Sequence, residues 1–277
     1  MEGSSHGLVV DEPRVWNKTD DIVIVAKKES KAIDRLKKVF KVSSDYGWEI
    51  NFDKCQFLHR KIEFLGHIIK NNKLFPSSSK TKSVFHYPEL KTTKEVQRYL
   101  GLTGYIRKLI PAYSVIAKLL SDLLRKDTHF NFDVKQKASF DELKRLLCQK
   151  PVLSIYRKNC ETEMHTEASI DGLAAVLLQR SPDDNSLHPI YYMSRKTSET
   201  ERKYTTYELE VLAIIEALKN FKVYILGMPF KIITDCNAFT KTMSKKDLNT
   251  RIARWAYKIM ITPFYMVLAH KWPMSTL

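Results

Sequence analysis

Cysteine is scarce in this chain. Cys55, Cys148, Cys160 and Cys236 are the only four among 277 residues; no two form a CxxC pair, and no histidine stands beside them at ligand spacing. That pattern argues against a zinc site or a disulfide framework and suits a reducing compartment. No apolar run approaches the roughly 20 residues that span a bilayer, and residues 1–16 lack the apolar core of a signal peptide. The expectation is an intracellular protein with no membrane segment, the cytoplasm and the nucleus both remaining open. Internal repeats and low-complexity tracts are also missing. Acidic residues are outnumbered, 31 against 46 lysines and arginines, for a net charge of +15. Such an excess favours a polyanionic partner through counterion release, nucleic acid first, although a basic globular protein with no such role fits the charge alone.

At 44% apolar residues the chain can build real cores, and its length predicts two or three globular units. After Asp20 and Asp21, the β-branched run from Ile22 to Ala26 reads as a buried strand entered through a turn. Residues 29–45 carry Ile33, Leu36, Val39 and Phe40 at helical spacing, and Gly47 is available for a left-handed cap. Residues 61–69 and 74–75 are β-rich runs about Asn71-Asn72, which predicts a hairpin. From Thr92, a capping residue with Glu95 or Gln97 nearby, the pattern turns helical to about Lys126, with Val96, Leu100, Leu102 and Tyr105 as the apolar stripe. A further helix through Phe140, Leu143, Leu146 and Leu147 stops before Pro151, where a domain boundary is expected. Beyond it the order is three strands (163–168, 173–179, 188–194), a helix (206–221), a strand (230–234) and a helix (250–260), an α/β plan.

Seven stretches stand out in order along the chain: Asp20-Asp21-Ile22-Val23-Ile24, Glu63-Phe64-Leu65-Gly66-His67, Tyr99-Leu100-Gly101-Leu102-Thr103-Gly104-Tyr105, Lys150-Pro151-Val152-Leu153, His165-Thr166-Glu167-Ala168-Ser169, Tyr207-Glu208-Leu209-Glu210-Val211 and Thr234-Asp235. In this order they resemble the polymerase region of Ty3/gypsy-type long-terminal-repeat retrotransposons. The resemblance covers about residues 17–257 and implies an α+β and α/β architecture: a truncated reverse-transcriptase palm and thumb followed by a ribonuclease H-like domain with a mixed sheet and flanking helices. It divides the chain into an unassigned segment 1–16, the end of the palm at 17–90, thumb and connection helices at 91–150, a ribonuclease H-like domain at 151–260 and a divergent tail at 261–277.

The same resemblance implies two-metal Mg²⁺ chemistry at two sites. Asp20 and Asp21 match the aspartate pair of the polymerase turn, with Lys18 in place of its aromatic residue and Thr19 between. The family's third polymerase aspartate and its fingers would lie upstream of these residues. In the ribonuclease H-like part, Glu167 takes the place of the family's first aspartate, one methylene longer, and Asp235 matches a later ligand. On the helix Glu210 is preferred by alignment. Glu208 stays open as the alternative because helical periodicity does not choose between the two, although its capping box with Thr205 gives it a sufficient structural role. A fourth acid is expected on a later segment. His165, His188 and His270 read as strand or surface residues. The implied partners are an RNA–DNA hybrid or double-stranded nucleic acid, within a larger Pol polyprotein. The implied activities are RNA-directed DNA polymerisation and cleavage of the RNA strand of hybrids, with a nucleic-acid-binding remnant lacking catalysis as the second reading.

Overall fold

The computed structural model describes residues 15–18, 21–26, 28–126, 128–149, 151–234, 254–255 and 265–270. The chain divides into two compact units, Met1–Leu65 and Gly66–Leu277. In the first, β1 (Val15–Lys18) and β2 (Asp21–Ile24) form an antiparallel hairpin in which Lys18 faces Asp21. Helix α1 (Glu29–Asp45) follows at the expected residues, and Arg35 donates to the Val25 carbonyl ahead of it. Gly47, at φ 68°, ends the helix: its amide donates to Ser44 O at 3.1 Å and the Trp48 amide to Ser43 O at 2.8 Å. Those two bonds make a Schellman cap, which needs a residue free to take positive φ. The stripe of α1 is only half covered, with Ile33 44% exposed. The three apolar clusters among the described residues all lie in the second unit.

Strand β3 (Lys61–Phe64) and strand β4 (His67–Lys70) split what reads in the sequence as one run. Leu65 and Gly66 between them take φ 48° and 62°. A Cβ on Gly66 would also stand 3.0 Å from Tyr105 Cε1, so this position has reason to be glycine. In the second unit β4 pairs antiparallel with β5 (Lys73–Pro76) across Asn71 and Asn72, at φ 49° and 59°, the backbone that a type I′ turn demands. The first strand after Pro151, β6 (Leu153–Ser154), returns to β5 and sets Leu153 opposite Leu74.

The helical segment runs α2 (Ser78–Phe85), α3 (Thr93–Gly104), α4 (Tyr113–Ile116), α5 (Lys118–Asp122) and α6 (Val134–Cys148). Ser77, Thr92 and Asp133 cap α2, α3 and α6 by accepting from Lys80, Glu95 and Lys135 amides, each satisfying an otherwise orphaned donor. The buried stripe of α3 is Val96, Tyr99 and Thr103 rather than the expected set ending in Tyr105. The helix stops at Gly104, so Tyr105 leaves the periodic pattern and is exposed. Tyr99 packs on Phe140 of α6 and its phenol donates to the Phe140 carbonyl at 3.2 Å. Buried with them are Leu120, Leu143 and Leu147.

The remaining strands form a five-stranded mixed sheet. Strands β7 (Thr162–Ala168), β8 (Gly172–Arg180) and β9 (Leu187–Lys196) pair as an antiparallel meander. Helix α7 (Thr206–Ile225) then crosses over, and β10 (Pro229–Thr234) returns parallel to β7. Strand β11 (Tyr265–His270) adds in parallel outside β10, giving the order β11-β10-β7-β8-β9. The sheet therefore continues into the segment that the sequence sets apart as a divergent tail. Of the helix expected at 250–260, Arg254 and Trp255 are helical and the rest lies outside the described residues. Val211, Ile214, Leu218 and Phe221 of α7 bury themselves against Met164, Leu177, Met193 and Ile232 of the sheet.

Helices and sheet meet along one joint. Ala112, in left-handed backbone at φ 45°, leads into α4, at a cost of about 1 kcal/mol for a residue with a Cβ. The Ser114 amide donates to Ser194 Oγ of β9 at 2.9 Å, and the two hydroxyls lie 3.1 Å apart. Gly172 of β8 sits beneath: a Cβ there would lie 3.0 Å from Arg195 O and 3.1 Å from Val115 Cγ2. Tyr192 of β9 packs into the helical core.

Candidate nucleic-acid and carboxylate sites

On β7, Met164 and Ala168 pack on the α7 side, so the pleat alternates Glu163, His165 and Glu167 onto the other face. His165 Nε2 lies 2.8 Å from Glu163 Oε2, and this buried pair accounts for the histidine without a ligand role. His188 is likewise engaged, 2.7 Å from Asp184, whose carboxyl is held at about 2 by the Ser186 amide first and by His188 second. Glu167 is half-buried, opposite Ala174 of β8, one residue from the end of its strand. The turn that follows is tight: Ser169 Oγ accepts from the Asp171 and Gly172 amides at 3.3 and 3.2 Å.

The start of α7 separates its two glutamates. The Glu208 amide donates to Thr205 Oγ1 at 3.3 Å while Glu208 Oε2 accepts from the Thr205 amide at 3.0 Å and from its hydroxyl at 3.2 Å. Glu208 is buried in that reciprocal cap, so its carboxylate has a structural task. Glu210, on the first turns of the same helix, is half-buried. Arg195 at the end of β9 braces this region, donating to both Glu201 oxygens at 2.8 and 2.9 Å and to Glu216 of α7 at 3.3 Å. The Arg195 guanidinium, with the Ser198 amide, holds the Glu201 carboxyl at about 2.

Asp235 and Asp20 lie outside the described residues, and Asp21 is described only as the first backbone position of β2. Glu167 and Glu210 stand on neighbouring elements, Glu167 on the face of β7 turned away from α7, and among the described residues no three His, Cys, Asp or Glu converge as a metal site. The donors available are carboxylate oxygens, a type suited to a hard divalent cation.

A profile for reverse transcriptase (RNA-dependent DNA polymerase) matches residues 19–69, and one for an RNase H-like domain found in reverse transcriptase matches residues 132–232. The Pol polyprotein of transposon 297 from Drosophila melanogaster is 33% identical over 241 residues, covering 87% of this chain and 22% of the relative. The chain belongs to the Ty3/gypsy-type Pol family. The Tf2-3 transposon polyprotein of Schizosaccharomyces pombe is 32% identical over 240 residues, 85% of this chain and 18% of the relative. This Pol chain therefore spans about a fifth of the length of these relatives. Foamy viral protease-reverse transcriptase shares its fold: one structure, in complex with ds DNA, superposes with TM-score 0.78 at 22% identity over 96% of this chain and 47% of the other. Another, in complex with RNA/DNA hybrid, gives 0.77 over 96% and 36%. Reverse transcriptase and ribonuclease H families generally use divalent metals. Among the described residues of the Pol chain no helix is long and apolar enough to cross a membrane.

One feature of α3 escapes a reading of the sequence alone. Lys94, Gln97, Arg98 and Gly101 are exposed on one face of the helix, and a Cβ on Gly101 would meet nothing within 4 Å. A glycine inside a helix costs about 0.5–1 kcal/mol relative to alanine, and no neighbour among the described residues asks for it. Motif position makes Gly101 visible in the sequence; only the structure shows that the space above it is open.

Near Gly66 the ring of His67 stacks on Tyr105 at 5.8 Å, and Lys80 lies over the Tyr105 ring. His67 is buried, its Nδ1 without a hydrogen-bond partner. Burial first, and Lys108 second, lower its pKa from 6.5 to about 4. The unfolded chain binds this proton more readily, so the contribution of neutral His67 is complete above pH 6.5 and is lost as pH falls from 6.5 toward 4. The loss amounts to about 3 kcal/mol. His67→Phe keeps the stack and removes the proton; urea unfolding at pH 7 and pH 4.5 should show a smaller fall in stability for this variant than for the parent chain. An equal fall in both would refute the assignment.

Proposed function

We propose that this chain grips a nucleic-acid duplex, an RNA–DNA hybrid above all, on the exposed face of α3, and that its ribonuclease H-like part carries the carboxylates for metal-dependent cleavage of the RNA strand. The observation that carries the first half is Gly101. A missing Cβ on an exposed helical face lets a sugar or a groove edge approach the helix backbone, while Lys94 and Arg98 beside it can meet phosphates. The complexes of the foamy viral enzyme with ds DNA and with RNA/DNA hybrid support the choice of partner, as does the net charge of +15. Alanine at Gly101 separates binding from folding. Gly101→Ala should raise stability by about 0.5–1 kcal/mol and yet weaken hybrid binding, measured by anisotropy, with the affinity of the parent chain falling steeply with salt. Unchanged affinity would sink the assignment of this face.

For cleavage, family resemblance assigns Glu167, Glu210 and Asp235 as the residues that would hold Mg²⁺, and Glu208 is set aside because the capping box occupies it. When bound, Mg²⁺ supplies polarisation of the scissile phosphate and of the attacking water. Asp20 and Asp21 are assigned, on the same resemblance, as the aspartate pair of a polymerase turn. The extra methylene of Glu167 favours a slow enzyme or the reading as a binding remnant, since about 1 Å of misplacement can cost roughly 100-fold in rate. Glu167→Asp should therefore raise Mg²⁺-dependent cleavage of hybrid RNA, and Asp235→Asn added to it should abolish the gain. Brisk cleavage by the parent chain that survives Asp235→Asn would show that the carboxylates are misassigned.

A further inference from the structure

Four residues past Glu167, Asp171 gathers contacts from two directions. Its Oδ1 accepts from Lys118 Nζ of α5 at 2.5 Å and from Arg202 Nη2 at 3.1 Å. Arg202 belongs to the 3₁₀ turn Glu201–Lys203 that leads into α7. At the other end of α5, Asp122 accepts from Lys196 Nζ of β9 at 3.0 Å, and Lys196 also reaches the Lys118 carbonyl at 3.3 Å. Helix α5 and the sheet thus exchange charges reciprocally, a lysine from each finding an aspartate of the other. Thr197 completes the arrangement by donating its hydroxyl to the Ile170 carbonyl. The Asp171 carboxyl is held below the usual range, mainly by the Lys118 bond, and so stays charged at neutral pH.

These groups are partly exposed, with 21% of the Lys118 side chain and 41% of the Asp171 side chain open to solvent. Ion pairs of that kind add little to stability. Their convergence on the short turn between Glu167 and β8 is better explained by geometry: one carboxylate fixes the turn to the helical segment and to the approach of α7 together. A displacement of about 1 Å at such a site matters far more to function than to folding.

We propose that Asp171 is a positioning residue which, by holding Lys118 of α5 and Arg202 ahead of α7 at once, sets where Glu167 stands relative to a duplex held on α3. The proposal rests on the duplex-binding reading above and adds to it the means by which the two halves keep register. The test is hydrogen exchange read by mass spectrometry on the full chain, with an RNA–DNA hybrid and chelator present so that no cleavage occurs. In the parent chain the hybrid slows exchange in α3 and also in residues 168–172 and 197–205. Asp171→Asn and Lys118→Met keep the protection of α3 and lose it at those two loops, while Lys118→Arg retains both. Exchange in α6 and β8 without hybrid checks that each variant is folded, and either of the two disruptive variants suffices. Loop protection that persists in Asp171→Asn and Lys118→Met, or that is missing in the parent chain while α3 is protected, overturns the positioning role alone. No protection of α3 in the parent chain overturns the duplex-binding reading, and the positioning role falls with it.

Discussion

The close seating of α4 on the sheet is the constraint from which the rest of the second unit follows. The Val115 side chain reaches the β8 backbone there because Gly172 has no Cβ to stand between it and the Arg195 carbonyl, and the Ser114 amide and hydroxyl meet Ser194 Oγ. Once α4 is placed, α5 lies within reach of Asp171 and Lys196. Helix α6 is tied in through Ser139, which donates to the Ile116 carbonyl, and through the apolar cluster that takes in Leu143, Leu147 and Tyr192. A polar, close-packed joint of this kind fixes relative position more tightly than apolar area alone would, since its hydrogen bonds have one geometry in which they are satisfied.

Much of this architecture is legible in the sequence wherever the signal is local. The bounds of α1, the turn at Asn71-Asn72, the capping box of Thr205 and Glu208, and the stop of α6 before Pro151 each follow from chemistry within a few residues. What stays hidden depends on contacts distant in sequence. The run from Lys61 to Ile69 looks continuous, yet Leu65 and Gly66 turn the chain between β3 and β4, and Gly66 combines a positive φ with the close approach of the Tyr105 ring. Tyr105 itself belongs to a helical pattern on paper and to an aromatic stack with His67 in the structure. Strand β11 gives little sign of itself because its partner in the parallel pair is β10 and no hairpin turn announces it.

The candidate sites follow the same division. Family motifs point to Glu167 and Glu210, and the capping box that the sequence already offers at Thr205 and Glu208 is formed with both reciprocal bonds, which occupies the Glu208 carboxylate. Neither composition nor periodicity could single out Gly101 or Asp171. The first is defined by open space above a helix and the second by two basic partners 53 and 31 positions away in the chain.

The helical segment and the five-stranded sheet are joined through α4 and α5, and the proposed register between a duplex on α3 and the carboxylates of the sheet requires that they move as one body. Native-state hydrogen exchange over a series of sub-denaturing urea concentrations measures this directly. Amides of α6 and of β8 should merge into one opening reaction with the same free energy and the same urea dependence. Opening of α6 at far lower free energy, with β8 still protected, would contradict a single body.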